Sequence, residues 1–182
     1  MVVSTALLRP FFTANLVRDH TQAILDVIAA NHVFIPRAKA EGSPEWKQII
    51  PYVVIRHAGE YFVLQRTAKQ TEARLHHKVS LGIGGHINPG HTLLEGLHKE
   101  LDEEVAVDAP YTLAFIGILN DDSTEVGRVH LGAVYVLEAG AKRVTVKETE
   151  KMTGEWMSRD ALRGVREAME TWSQIVYDDL IA

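Results

Sequence analysis

Three glutamates, Glu100, Glu103 and Glu104, lie within one turn of a predicted helix. Carboxylates three and four residues apart on a helix repel one another, so a cation should accompany them. A hard divalent ion such as Mg²⁺ takes carboxylate oxygens and keeps positions open for water and substrate phosphates. A solvated acidic helix face is the alternative, and it would be favoured if the Glu-x-x-Glu-Glu pattern stood alone. The glutamates are therefore candidate metal ligands, and the residues around them determine whether this interpretation is favoured over a solvated surface.

A glycine-rich turn precedes these glutamates. A short strand predicted around Val79 to Ile83 leads into this turn, whose glycines are Gly82, Gly84, Gly85 and Gly90. Glycine adopts unusual backbone dihedral angles at little steric cost, so the chain can turn sharply here. This spacing places backbone groups of the turn beside the carboxylates.

The helix that carries the glutamates is predicted to run from Thr92 to about Val105. Thr92 and Glu95 have the spacing of a capping box, in which each side chain accepts a hydrogen bond from the other residue's backbone N–H. One apolar face would pack on the core, while the glutamates share an adjacent flank. The apolar face consists of Leu94, Leu97, Leu101 and Val105.

The surrounding pattern predicts a largely β centre covered by helices. Pro51 has no N–H to donate, so we expect it at the start of its strand or on a sheet edge. A helix is predicted at Thr21 to Ala30, ending at Asn31, and one long amphipathic helix is predicted from Ser158 onward. The predicted strands are a hairpin of Ile49 to Ile55 with Tyr61 to Leu64, and further strands at Leu113 to Leu119, Val129 to Leu137 and Val144 to Val146.

Composition limits the classes of protein and partner. The 182 residues show no repeat or long linker, so we expect one domain at residues 47–182 with an N-terminal extension, residues 1–46, packed on it. The net charge of -5 leaves no broad basic surface for a nucleic-acid polymer. The lack of cysteine excludes disulfides, thiolate zinc sites and Cys nucleophiles. No run approaches the ~18 apolar residues of a membrane span, so we expect a soluble, cytoplasmic protein.

The glycine turn and the glutamates together resemble the Nudix box of the MutT-like hydrolases. That box has the pattern G-x5-E-x7-R-E-U-x-E-E-x-G-U, where U is a bulky aliphatic residue. Here Gly85, five residues, His91, seven residues and then the run from Lys99 to Val107 keep its spacing. The resemblance implies an α/β fold of the Nudix type, an α/β/α sandwich with a mixed central sheet, over residues from about 48 to 180.

Three positions depart from the family pattern. His91 stands where the family has Glu, Lys99 where it has Arg, and Ala106 where it has Gly. The family's Glu and Arg are expected to pair and orient the metal-binding helix, and we expect a Glu95–Lys99 pair to replace them in part. Ala106 is less suited than Gly to a left-handed helix end. None of these changes touches the three glutamates.

The resemblance implies roles for particular residues. Glu100 and Glu104 would be primary ligands of Mg²⁺ or Mn²⁺, and Glu103 a ligand or general base. The segment from Gly154 to Ser158 is similar to the one that precedes the last helix of MutT-like proteins. That similarity points to Glu150 as a further ligand, with Glu148 as its competitor. The backbone carbonyl of Gly84 or Gly85 could add an oxygen.

Cationic residues before the glycine turn are candidates for substrate binding. Arg66, Arg74 and Lys78 could clamp phosphates, or could simply be solvated surface residues. His86 is a candidate turn or substrate-contact residue. Four histidines surround this turn and suggest zinc, but their spacing matches no zinc template. They are His76, His77, His86 and His91.

The implied function is hydrolysis of a diphosphate linkage in a nucleoside diphosphate derivative or a similar small phosphorylated molecule. A wider similarity, from Gln48 to Asn88, is to bacterial proteins described as predicted MutT-family phosphoesterases. The altered positions His91 and Lys99 keep a non-catalytic nucleotide-binding or regulatory module as an alternative. An isomerase of the isopentenyl diphosphate type ranks lower, because it relies on a Cys. The assembly state stays open, with a homodimer as one option.

Overall fold

The computed structural model describes residues 1–66, 78–147, 149–150 and 152–182. It has the mixed α/β architecture with a large mixed sheet that the sequence predicts. No helix within these ranges is long and apolar enough to cross a membrane. The helices are α1 (Thr5–Leu8), α2 (Thr21–Asn31), α3 (Arg37–Glu41), α4 (Leu93–Glu104), α5 (Glu125–Arg128), α6 (Arg159–Val165) and α7 (Thr171–Val176).

Nine of the strands in the described ranges form one sheet. Neighbouring strands follow the order β11, β4, β3, β9, β8 and β2, with β1 and β6 paired to β3 and β5 paired to β4, while β7 and β10 form a second, two-stranded sheet. The strands are β1 (Val2–Ser4), β2 (Leu16–Val17), β3 (Trp46–His57), β4 (Glu60–Arg66), β5 (Val79–Ser80), β6 (Gly82–Gly84), β7 (Val105–Val107), β8 (Tyr111–Leu119), β9 (His130–Ala139), β10 (Val144–Val146) and β11 (Met152–Ser158).

The chain divides into two compact units. The first comprises Met1–Tyr52, Gly84–Leu97 and Phe115–Val134, and the second Val53–Ile83, His98–Ala114 and Tyr135–Ala182. In the first unit, the N-terminal residues supply two strands, because β1 pairs with β3 and β2 pairs with β8, both antiparallel. The boundary of the extension at residue 46 stays a prediction.

A buried lysine fixes the loop after β8 in the first unit. Lys47 is fully buried, and its Nζ donates to Asp122 Oδ1 at 2.6 Å and to the carbonyl oxygen of Gly127 at 2.9 Å. The Phe12 ring lies 5.9 Å from the same ammonium. Burial lowers the pKa of Lys47, while Asp122 opposes that shift. The loop is therefore tied to β3 by contacts that a buried charge requires.

The core of the second unit joins strands β4 and β5 to the C-terminal helices. The N–H of Leu81 donates to Ser173 Oγ at 2.9 Å, so a side chain completes the hydrogen bonding just after β5. Burial of these apolar side chains is the main favourable term that holds the helices on the strands. The core residues are Val63, Val79, Leu81, Leu162, Met169, Tyr177 and Ile181.

The predicted hairpin is confirmed. Arg56 faces Tyr61 and His57 faces Glu60, and the two residues between the strands have positive φ, 48° at Ala58 and 82° at Gly59. Two-residue loops of this kind match the right-handed twist of the strands they connect.

The position of Pro51 differs from the prediction. Pro51 lies inside β3 rather than at its beginning, and β3 pairs with neighbours on both sides in the sheet. The partners of β3 change along its length, with β1 at Trp46–Gln48 and β4 at Arg56–His57. Pro51 therefore lies between the β1 and β4 ladders, and β9 and β6 also pair with β3.

The long C-terminal helix was a wrong prediction, because the tail is broken. Met169 and Glu170 are extended, with ψ of 153° and 160°, between a 3-10 turn at Arg166–Ala168 and α7. The N–H of Glu170 donates to the carbonyl of Val79 at 3.1 Å, and Ser80 Oγ donates to Glu170 Oε1 at 2.7 Å. These bonds to β5 outweigh the local helical pattern. The last residues, Tyr177–Ile181, form a π-helical turn.

Gly84 is required by a close approach of two backbone segments. A Cβ at this position would lie 2.3 Å from the carbonyl oxygen of Pro51 and 3.3 Å from Ile50 Cγ2. We expect Gly84→Ala to lower the free energy of unfolding by about 1–3 kcal/mol through overpacking. Chemical denaturation of the purified variant measures this.

Gly164 is the matched control for that substitution. It lies in α6, and an added Cβ there meets nothing within 4 Å. Gly164→Ala should raise the free energy of unfolding by about 0.5–1 kcal/mol, because alanine loses less backbone entropy in a helix. Equal effects of the two changes would contradict the assigned contact at Gly84.

Candidate active site

Helix α4 begins with the predicted capping box. The N–H of Thr92 donates to Glu95 Oε2 at 2.7 Å, and the N–H of Glu95 donates to Thr92 Oγ1 at 3.3 Å. A Cβ at Gly96 would lie 2.8 Å from Ile87 Cγ1, so the first turns of α4 contact the glycine-rich segment closely. The start of the helix is thus fixed by its own sequence and by this contact.

Two of the candidate glutamates converge on one ammonium in the second half of α4. Lys99 Nζ donates to Glu103 Oε2 at 2.7 Å and to Glu100 Oε1 at 3.2 Å. The predicted Glu95–Lys99 pair is wrong, because Glu95 binds Thr92 while Lys99 binds the two glutamates. A cation therefore does accompany these carboxylates, as their mutual repulsion requires.

The two carboxylates differ in exposure. The Glu100 side chain is 13% exposed and that of Glu103 is 59% exposed. Burial raises the pKa of the Glu100 carboxyl, and Lys99 opposes the rise. The hydrogen bond to Glu103 in turn raises the pKa of Lys99. Glu100 is thus a mostly buried carboxyl next to a cation, whereas Glu103 reaches solvent.

The C-terminal end of α4 is held by Lys147. The side-chain Nζ of Lys147 donates to the carbonyl of Asp102 at 2.5 Å, and its backbone N–H donates to the carbonyl of Glu104 at 2.9 Å. These bonds satisfy carbonyl groups that a helix end leaves without partners, and the ammonium faces the negative end of the helix dipole. Lys147 directly follows β10, which pairs with β7.

Ala106, which stands where the family has Gly, does not adopt a left-handed backbone conformation. Ala106 lies in β7, opposite Thr145, and does not have positive φ. The helix passes directly into a strand after Glu104. The steric cost that we expected for Ala106 at a left-handed helix end is therefore absent.

The donor set of α4 suits a hard divalent cation. Glu100 and Glu103 already direct oxygen atoms at one positive charge, and carboxylate oxygens are what Mg²⁺ and Mn²⁺ accept. A divalent ion would have to displace Lys99 to use both oxygens. In the described ranges, no three His, Asp or Glu side chains form a ready-made metal-binding group.

The other proposed ligands lie at separate places in the chain. Glu104 is the last residue of α4 and is partly buried. Glu150 is exposed in the turn after β10, and its competitor Glu148 is outside the described residues. Gly84 ends β6 in the first unit. Their assignment as ligands stays a prediction.

The predicted substrate-binding cations are only partly described. Arg66 ends β4, where it faces Met152 of β11, and Lys78 directly precedes β5. Arg74 lies outside the described residues. Burial lowers the pKa of His86 to about 4, so this imidazole is neutral at pH 7. His86 can therefore offer a phosphate a hydrogen bond but no charge.

His91 does not reproduce the role of the family's Glu. Its N–H donates to the carbonyl of Asn88 at 3.1 Å, which closes the glycine-rich turn. Its Nδ1 is buried and has no hydrogen-bond partner among the described residues.

Sequence reasoning missed Lys147 and the partners of His86. Lys147 is 45 residues from the carbonyl that it binds. His86 contacts His130, 44 residues away, and His130 contacts Gln48, which is 82 residues away. No local pattern could have identified such pairs.

Comparison with protein families and sequences gives consistent matches. The model of the NUDIX domain matches residues 47–180. The chain is 39% identical over 170 residues to Protein YmaB of Bacillus subtilis (strain 168), and the match covers 86% of this chain and 82% of YmaB.

Solved structures show the same fold. Tm1382, described as a candidate Nudix hydrolase, matches with a TM-score of 0.83 and 31% identity, over 99% of this chain and 96% of Tm1382. A MutT protein from Methanosarcina mazei Go1 matches with a TM-score of 0.51 and 27% identity, over 72% of this chain and 88% of its own. The dihydroneopterin triphosphate pyrophosphohydrolase of E. coli is 16% identical with a TM-score of 0.53, over 74% of this chain and 97% of its own, a likeness of fold alone.

Removal of Lys99 should show whether it and Mg²⁺ use the same carboxylates. Without divalent ions, we expect Lys99→Ala to lower the free energy of unfolding by about 0.5 kcal/mol, because the exposed part of the pair is screened. Added Mg²⁺ should then raise the melting temperature of Lys99→Ala more than that of the wild type, since no ammonium competes. Thermal denaturation with EDTA and with Mg²⁺ measures both effects.

The control is Arg163→Ala, which removes an exposed cation that pairs with Asp160 on α6. Its response to Mg²⁺ should equal that of the wild type. An equal Mg²⁺ response in Lys99→Ala and the wild type would place the ion elsewhere.

Proposed function

The chain belongs to the NUDIX domain family, and from that premise we propose that it uses Mg²⁺ or Mn²⁺ to cleave a diphosphate linkage. The substrate would be a nucleoside diphosphate derivative or a similar small phosphorylated molecule. The observation that carries the proposal is the convergence of Glu100 Oε1 and Glu103 Oε2 on Lys99 Nζ. Two oxygens that share one ammonium can also share one divalent ion.

The glutamates of α4 would have different roles in this hydrolysis. By the resemblance, Glu100 and Glu104 would hold the ion, which would supply Lewis-acid chemistry to a phosphate group and a water. Glu103, more exposed than Glu100, either adds an oxygen ligand or accepts a proton from the attacking water.

The capping of α4 supports these roles. Thr92 and Glu95 fix the first turn, and Lys147 fixes the last. A metal-binding carboxylate gains from such fixed supports, because ligand positions must be held closely to be effective. Lys147 is thus a positioning residue in this proposal rather than a catalytic one.

Further oxygen ligands and substrate contacts are proposed from the resemblance. Glu150 and the carbonyl of Gly84 would complete the set of metal ligands. Three cations, Arg66, Arg74 and Lys78, would bind phosphate groups, and neutral His86 would donate or accept one hydrogen bond. The lack of cysteine and the acidic net charge support a cytoplasmic enzyme for small substrates.

A panel of diphosphate compounds tests the proposal. It would contain nucleoside triphosphates, nucleoside diphosphate sugars, dinucleoside polyphosphates and, because of the E. coli neighbour, a pterin triphosphate. With Mg²⁺ the purified protein should release phosphate, pyrophosphate or a monophosphate from at least one compound, measured by ion-exchange chromatography. Glu104→Gln should abolish this release, and Glu103→Gln should lower kcat by at least about a hundredfold, as loss of a general base does.

The matched control is Asp102→Asn. Its exposed side chain lies on the same helix, and the change removes one negative charge as the other two changes do. Asp102→Asn should keep kcat close to that of the wild type. Full activity of Glu104→Gln would overturn the site assignment, and a lack of turnover by the wild type across the panel would overturn the proposed reaction.

A further inference from the structure

One imidazole nitrogen in the first unit contacts both a second imidazole and a side-chain amide. His130 Nε2 lies 3.3 Å from His86 Nε2 and 3.2 Å from Gln48 Nε2. The rings of His86 and His130 are edge to face, with an interplanar angle of 71° and centroids 5.4 Å apart. Gln48 is buried, and both histidines are partly buried. The cluster lies at the start of β9, beside the glycine-rich segment and β3.

The tautomer of His130 is fixed by its other nitrogen. His130 Nδ1 lies 2.7 Å from the carbonyl oxygen of Val126, which can only accept, so Nδ1 carries the hydrogen. The Nε2 of neutral His130 therefore presents a lone pair towards His86 and Gln48. Histidines that bind metals almost always donate their second N–H to a carbonyl or carboxylate in this way.

Hydrogen bonds alone do not pair all the polar atoms of this cluster well. One lone pair on His130 Nε2 would have to accept from both His86 and Gln48. The assignment of the Gln48 amide oxygen and nitrogen follows from the network, and a turn of the amide would direct its oxygen at the same point. With His86 in the tautomer that leaves its Nε2 without a hydrogen, two nitrogen lone pairs and one oxygen lone pair would be available to a cation at this place.

The distances also match a tetrahedral ion. Ligand atoms about 2.0–2.1 Å from zinc in a tetrahedron lie about 3.3 Å from each other. The two separations at His130 Nε2 are 3.3 and 3.2 Å. A water would supply the fourth position, because both histidines are only partly buried.

We propose that His86, His130 and Gln48 form a binding site for a borderline divalent ion such as Zn²⁺ or Co²⁺, separate from the glutamates of α4. Imidazole favours such ions, whereas Mg²⁺ keeps to oxygen ligands. The loop that fixes His130 through Val126 is itself held to β3 by Lys47. The site is therefore built on supports that exist without the ion.

Cobalt provides the direct test. Protein stripped of metal with EDTA and dialysed should bind one Co²⁺ per chain, with the strong visible absorption of tetrahedral cobalt. Excess Mg²⁺ would be present throughout to occupy carboxylate sites, and isothermal titration would give the affinity. His130→Ala and His86→Ala should each weaken Co²⁺ binding by at least about tenfold.

Two further variants keep the test independent of folding and of the proposed reaction. Gln48→Glu replaces the amide with a carboxylate and should strengthen Co²⁺ binding, which a misfolded protein would not do. Glu103→Gln should lose hydrolysis while it keeps the cobalt spectrum. His98→Ala, which removes an exposed histidine of α4, is the matched control and should bind Co²⁺ like the wild type.

The proposal would be overturned by a wild-type protein without tetrahedral cobalt absorption, since a neutral His–His hydrogen bond would then explain the contact. It would also be overturned if His98→Ala weakened binding as much as His130→Ala, or if Gln48→Glu had no effect on Co²⁺ affinity.

Discussion

Negative charge at the C-terminal end of α4 is the constraint on which the candidate site depends. Glu103 and Glu104 are the last two residues of the helix, where the helix dipole already disfavours carboxylates. Two lysines compensate: Lys99 binds the side chains of Glu100 and Glu103, and Lys147 binds the terminal carbonyls. The protein therefore holds these acidic groups in order with its own cations. A metal ion would exchange with one of them rather than organise the helix.

Features that depend on near neighbours in the chain were predictable. The Thr92–Glu95 capping box, the hairpin around Ala58-Gly59 and the strand Val144–Val146 each follow from residue types a few positions apart. The spacing of Glu100 and Glu103 on one flank of α4 was predictable for the same reason, because helical geometry fixes it.

Features decided by distant contacts were not predictable. The helical pattern after Ser158 does not show that Glu170 would leave the helix to bind Val79 and Ser80. The spacing of the apolar residues indicates which side chains are buried, and this spacing is compatible with a broken helix as well as with a continuous one. The same holds for the partners of the site. Lys99 was expected to bind Glu95, but the i,i+4 geometry allows Glu103 equally well, and the capping box had already engaged Glu95.

The break in the C-terminal segment has a consequence for association between molecules. Strand β5 pairs with β4 on one side, and unpaired N–H and C=O groups on the other side of a strand can template pairing with another chain. Here the carbonyl of Val79 accepts from Glu170, and the N–H of Leu81 donates to Ser173 Oγ. An uninterrupted helix could not supply the extended N–H of Glu170. The interruption thus pairs backbone groups that an exposed strand edge would offer to another chain.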